Sequence, residues 1–171
     1  VAYEDSDMSL SVSNLQNNIE WSGQSIDTIF ADRYRIFDIK FLRFLIDILR
    51  FNRFVKKNIN ELSNDKRPLR EWLKNKNFSE QFKENYILPM SAAIWSMSSN
   101  DVLNYPISNL FSFFNNHRLL HEKKLRPQWL TVSNGSRSYI DKILSSTNIN
   151  TKLNSKIHKI NTNNEKFLLT D

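Results

Sequence analysis

The chain has no cysteine and only two glycines, Gly23 and Gly135, in 171 residues. Without thiols it can form no disulfide, ligate no metal through sulfur and use no thiolate nucleophile. Glycine is also the residue that lets a backbone turn at positive φ and approach a phosphate closely. Two isolated glycines provide no glycine-rich cradle for a nucleotide, and tight turns must fall mostly to Asn, Asp and Ser. A long apolar run is missing too. The most hydrophobic window, Phe41 to Phe54, is broken by Arg43, Asp47, Arg50 and Arg53, whereas a membrane-spanning helix needs ~20 apolar residues. No membrane span is therefore expected. The acidic start, Val1–Asp7, has no signal-peptide core, so a cytoplasmic location is expected. The absence of an initiator Met makes the chain read as the interior of a longer protein.

What is present is the material of a folded domain. Hydrophobic residues make up 40% of the chain, with twelve Phe and four Trp, enough for one core and a small satellite lobe. The net charge of +6 would suit a polyanion, but the basic residues are interleaved with acids and form no nucleic-acid motif. A solvated, Lys- and Asn-rich surface is the plainer reading, and nucleic acid is not expected as a partner.

Periodicity sets the expected elements. Met8–Ser13 and Ile19–Ser22 alternate apolar and polar around the turn residues Asn14–Asn18, which predicts a β-hairpin from about Ser9 to Ser22. From Ile36 to about Leu62 the period becomes helical, with Arg43 and Asp47 at ion-pair spacing on the polar side. The phenylalanines 37, 44, 51 and 54 widen the apolar face beyond what one partner covers, so this helix should meet several neighbours or border a cavity. Pro68 suits the first turn of a short helix to Leu73. Ser79 should cap a helix from Glu80 to about Leu88, interrupted by Pro89, before a buried stretch Met90–Trp95. Ser98–Asp101 has capping-box form, and Pro106 opens a further helix rich in Phe. Lys123–Pro127 is a charged loop. Gln128–Val132 reads as a strand, Asn134–Gly135 as a turn and Ser136–Leu144 as a helix capped by Ser136. Two strands, Lys152–Ile160 and Lys166–Leu169, close the chain around a turn at Asn163–Asn164. The order predicts an α+β fold dominated by helix.

Few constellations carry chemistry. His117 and His121 have a metal-like i,i+4 spacing on a predicted helix end, but Arg118 stands where a zinc protease has its Glu and no third ligand is evident. No metal site is expected. Ser136 lacks the glycine frame of a nucleophile elbow. The aromatic set Trp95, Phe111, Phe113, Phe114, Trp129 and Tyr139 reads either as core or as the lining of an apolar cavity with His117 and Gln128 as polar handles.

Several blocks resemble one family. Tyr86-Ile-Leu-Pro-Met-Ser-Ala-Ala-Ile-Trp-Ser96 is similar to the "YLLPMAAAIWS" stretch of predicted FAD/NAD-binding oxidoreductases in the flavin-containing amine oxidase superfamily. Tyr105-Pro106 with Phe113–His117, and Arg126–Val132 with Gly135–Arg137 and Tyr139, resemble that family's "FP…FFxNH" and "RPQWxTVxGGSRxY" segments. Asp7–Ser13, Ile48–Phe51 and Leu153–Ile160 resemble three further motifs. Asn134 stands where the family has the first glycine of a pair, and Lys156 where its strand has proline. The family's G-x-G-x-x-G turn is absent.

The resemblance implies a mostly helical substrate-side domain with a small sheet, a fragment of a two-domain Rossmann-type FAD oxidoreductase. Residues 1–145 would form the substrate or cap domain, and 146–171 the start of strands returning to the FAD-binding domain. It implies Trp95, Phe114, His117, Gln128 and Trp129 at a small-molecule substrate, and Ile157 and Gly135 at the cofactor. FAD itself would be held only with N- and C-terminal segments outside this chain, so the fragment is not expected to be active alone. No residue stands out as catalytic. The alternatives are a helical module binding protein or nucleic acid, and a lipid-binding domain.

Overall fold

A computed structural model describes residues 1–7, 9–16, 18–121, 125–163 and 166–170. Its elements, in chain order, begin with strands β1 (Tyr3–Ser6), β2 (Ser11–Asn14) and β3 (Ile19–Ser22). Helices α1 (Ile26–Ile29), α2 (Ile39–Lys57), α3 (Ile59–Leu62), α4 (Leu69–Lys74), α5 (Glu80–Phe82), α6 (Leu88–Trp95), α7 (Ser99–Asn104) and α8 (Ile107–Asn116) follow. Strand β4 (Trp129–Val132), helix α9 (Ser136–Ser146) and strands β5 (Lys159–Asn163) and β6 (Lys166–Thr170) complete the fold. It is α+β, with helix dominant. Contacts divide it into two compact units, Ser6–Trp129 and a second made of Val1–Asp5 with Leu130–Asp171.

In the first unit the expected hairpin forms from β2 and β3, antiparallel, with Val12 opposite Trp21 and Asn14 opposite Ile19. Alternation sends Ile19 and Trp21 inward. The long helix is more segmented than its periodicity predicts. A 3₁₀ turn at Arg33–Phe37 precedes it, and Asp38 caps α2 by accepting from the N–H groups of Lys40 and Phe41. Asn58 ends α2, its side chain donating to Phe54 O at 2.8 Å; a residue whose amide can bond to backbone in this way competes with the helix ladder.

Phe41, Phe44, Phe51 and Val55 form the fully buried face of α2. Phe51 is its centre, with ring centroids of Trp72, Phe78, Phe82, Tyr86, Phe111 and Phe114 between 5.4 and 6.3 Å away. Burying one such ring contributes about 1.5–3 kcal/mol, with a further ~0.5–1.5 kcal/mol for a well-oriented pair. Asp47, expected on the polar side, is fully buried. Its carboxylate accepts from Arg50 Nη1 at 2.6 Å and from the backbone N–H of Ser79 at 2.8 Å, with Arg43 Nε at 3.5 Å. The Arg43 spacing is visible in the sequence; the inward turn of Asp47 follows from Ser79, which caps α5.

Pro89 does not interrupt its helix. The chain runs from α5 through a π-helical turn, Lys83–Ile87, directly into α6. Proline offers no N–H to the carbonyl four residues back, which here belongs to Asn85. The indole N–H of Trp21 donates to that oxygen at 3.0 Å instead. Pro89 stands in the first turn of α6, where proline is tolerated, and the Trp21 indole gives Asn85 O a tertiary donor just before it. Pro68 and Pro106 instead stand as N-caps of α4 and α8 and face each other in an isolated bridge.

In the second unit β1 pairs with β4 and β5 with β6, the latter antiparallel from Lys159↔Thr170 to Asn163↔Lys166. The strand expected from Lys152 begins only at Lys159; Asn154 adopts φ 56°, which breaks an extended run. Of the expected turn, Asn164 lies outside the described residues, as do Met8 of the first strand pattern and Lys123 and Lys124 of the charged loop. Gly135, not Ser136, is the N-cap of α9, and no side chain caps that helix. Gly135 sits at φ 75°, ψ −176°, a region essentially restricted to glycine.

Candidate functional site

Five chain segments of the first unit enclose a cavity of about 420 Å³. The hairpin contributes Leu10 and Trp21, α1 and its end Ile29 and Phe30, and α2 the side chains of Leu45, Ile48, Leu49 and Asn52. Tyr86 and Met90 come from the π turn and α6, and Leu119, Arg126, Pro127, Gln128 and Trp129 from the chain beyond α8. The volume lies in the range of small-molecule sites, as does the balance of apolar walls with few polar groups.

The side of α2 facing the cavity follows from helical geometry. Residues 45, 48, 49 and 52 fall on adjacent rows of one arc, beside the arc of phenylalanines that fills the core. Trp21 is held on one side by its bond to Asn85 O and by an edge-on contact with Phe44 at 5.3 Å. The π turn widens the helix at Tyr86, and such turns recur at functional sites.

Polar groups gather at one region of the wall. Tyr86 Oη donates to Asn52 Oδ1 at 3.3 Å. Burial pushes its phenol up to about 12, against the opposing pull of the Arg126 charge and the Asn52 bond; it is therefore a neutral donor at ordinary pH. Arg126 is fixed by the backbone, with Nε donating to His121 O at 3.0 Å and Nη2 to Leu119 O at 3.1 Å. It makes no ion pair among the described residues. Gln128 Nε2 donates to Ser6 O and to Trp129 O, both at 3.0 Å. A positioned guanidinium beside apolar and aromatic walls can orient an apolar molecule by an electron-rich or anionic end.

The sequence-nominated residues separate here. Gln128 and Trp129 line the cavity. His117 does not, but stacks on Trp129 with centroids 5.6 Å apart and planes 13° apart, and also meets Phe113 at 4.0 Å. Trp95 joins the same row through Phe113 at 4.9 Å. These residues support Trp129 from behind. Phe114 is fully buried against Phe51 and has no access to the cavity, because the inward face of α8 is spent on the core. Gly135 and Ile157 belong to the second unit, where Ile157 is exposed.

His117 and His121 do not share a helix face. The last residue of α8 is Asn116, and Arg118 at φ 53° turns the chain between the two histidines. Among the described residues no three His, Asp or Glu side chains gather as metal ligands. His121 keeps a buried Nδ1 without a hydrogen-bond partner among the described residues. Burial, and then the charges of Lys56, Arg118 and Arg126, hold its pKa below the ordinary histidine value.

Sequence reading missed Trp21, Tyr86, Asn52 and Arg126 as site residues. Arg126 had one visible signal, its place at the head of the Arg-Pro-Gln-Trp block. The others are brought in by the hairpin and the π turn. No family model, curated protein or solved structure matches the chain. Among the described residues no helix is long and apolar enough to cross a membrane.

A Cβ on Gly135 would meet nothing within 4 Å, and one on Gly23 only the Trp21 ring at 3.7 Å. Neither glycine is demanded by close approach of other described atoms of the chain, and Gly135 is set by its φ of 75°.

Proposed function

We propose that this chain is the substrate-binding part of an FAD-dependent, amine-oxidase-like oxidoreductase, with the cavity as its substrate chamber. One observation carries the reading. The blocks that resemble the family lie far apart in sequence, yet Leu10, Tyr86, Met90, Arg126, Gln128 and Trp129, drawn from three of them, line a single cavity. Core packing alone gives no reason for those blocks, rather than others, to meet at an open space.

In this reading the chain binds and orients while the flavin, held with segments outside it, supplies the redox chemistry. The apolar walls exclude water from the bound molecule. Arg126 and Gln128 fix its polar end, and Trp129 provides a flat face whose angle is set by His117 behind it. The Tyr86 phenol stays protonated and donates.

Extending the polypeptide upstream through a glycine-rich turn tests the proposal. The longer protein should bind FAD and absorb in the flavin bands, while the present chain stays colourless. Trp129→Ala or His117→Ala in the longer protein should impair turnover more than flavin content. A correctly folded but colourless extended protein would overturn the proposal. It would favour the second reading that the cavity allows, a carrier of an apolar ligand without redox chemistry.

A further inference from the structure

The outward face of α2 is unusual for a helix over a folded core. Ile39, Leu42, Ile46 and Leu49 recur at spacings of three and four, which places them on one stripe, and all are exposed, Ile39 by 82% and Leu49 by 66%. Phe37, two residues earlier, is 85% exposed. Isolated surface leucines need no explanation, but a contiguous apolar patch of this kind marks an interaction site.

Charge identifies what it meets. The one acid within α2, Asp47, is turned inward and fully buried, where a single carboxylate serves both Arg43 and Arg50. Arg53, Lys56 and Lys57, all exposed, follow the stripe toward the end of the helix and have no ion pair among the described residues. The acids just before the helix, Asp32 and Asp38, are engaged by Arg35. Along α2 itself the exposed apolar stripe is bordered by cations, while Asp7 lines the chamber that it adjoins. Leu49 belongs both to this stripe and to the cavity wall, so the patch continues into the rim of the chamber.

We infer that the outward face of α2 docks on an anionic membrane surface, lying in the plane of the headgroups. Apolar side chains enter the boundary of the acyl region while the flanking Arg and Lys meet lipid phosphates, as in peripheral amphipathic helices. A second copy of the chain is a poorer match, because a two-fold contact through the stripe would bring the same cations toward their own copies. The inference is independent of any flavin.

Vesicle flotation of the 171-residue chain tests it. Vesicles of phosphatidylglycerol and phosphatidylcholine in equal parts should carry the protein up the gradient, and vesicles of phosphatidylcholine alone should carry far less. Binding should fall steeply at about 1 M NaCl, where the screening length is ~3 Å. Each cation removed in the series Arg53→Glu, Lys56→Glu and Lys57→Glu should weaken binding roughly fivefold or more. Leu42→Ser with Ile46→Ser should abolish flotation while leaving the fluorescence melt of the core unchanged. Should that pair fail to fold, the charge series decides alone. Absence of flotation with the native chain, or binding indifferent to the charge series, overturns the inference. So does a dimer in sedimentation equilibrium that the apolar pair dissolves without any vesicle binding.

Discussion

Replacing Asp47 should expose how the first unit ties its longest helix to the turn at Ser79. The carboxylate is fully buried, accepts from Ser79 N–H at 2.8 Å and pairs with Arg50 at 2.6 Å. A hydrogen bond from an amide to a charged acceptor contributes ~1.5–3 kcal/mol. Both arginines are about half exposed, 47% each, and can rehydrate, so each pair adds only ~0.2–1 kcal/mol. Asp47→Ala should therefore cost about 2–5 kcal/mol, and Asp47→Asn, which keeps an acceptor for Ser79, about 1–2 kcal/mol. The assay is urea unfolding followed by tryptophan fluorescence. All four tryptophans, 21, 72, 95 and 129, lie in the Ser6–Trp129 unit, so the signal reports that unit alone. The Ala variant should shift the midpoint by on the order of 1–2 M. The difference must also depend on pH with a definite sign. Burial pushes the Asp47 carboxyl up, but the Ser79 amide and hydroxyl with Arg43 and Arg50 outweigh it and hold it below 3.8. Its contribution is thus present above pH 3.8 and lost as pH falls through the lower folded value. An Asp47→Ala protein as stable as the parent at neutral pH, or a difference that persists in strong acid, would refute the reasoning.

Two further perturbations follow from the same packing. Trp21→Phe leaves Asn85 O buried without its donor and should cost about 1–3 kcal/mol; the cost should shrink when Pro89→Ala restores a helical N–H, which a double-mutant cycle on the unfolding free energy measures. His121, whose pKa burial and then neighbouring cations lower from 6.5, binds its proton more readily when unfolded. Stability should be undiminished by it above pH 6.5 and decline below, and His121→Gln should flatten that part of the stability profile.

Elements built from neighbours along the chain are legible in the order of residues alone. The hairpin at Ser11–Ser22 follows from alternation around Asn-rich turn residues, the body of α2 from its helical period, and the start of α7 from Ser98, whose hydroxyl accepts from Asp101 N–H. Such signals work because the interactions that decide them span a few residues. Where a distant partner intervenes, local reading fails in a definite direction. Pro89 reads as a helix breaker, yet the π turn leads straight into α6 with Pro89 in its first turn, and Trp21, 68 residues earlier, donates to Asn85 O there. Asp47 reads as a surface partner of Arg43, yet the Ser79 amide draws it inside.

The candidate site divides along the same line. Gln128 and Trp129 could be nominated from their block, but Phe114 sits in the same aromatic run as Phe113 and only packing shows that its ring fills the core. By itself the chain's order of residues determined the α+β content, the absence of thiol chemistry and of a glycine-rich cradle, and the caps at Ser79 and Ser98. Only the tertiary structure decided that the hairpin, one arc of α2, the π turn and the Arg126–Trp129 segment surround one cavity. A cavity wall is defined by residues that meet across dozens of intervening positions, and no local periodicity encodes which of them will face the same space.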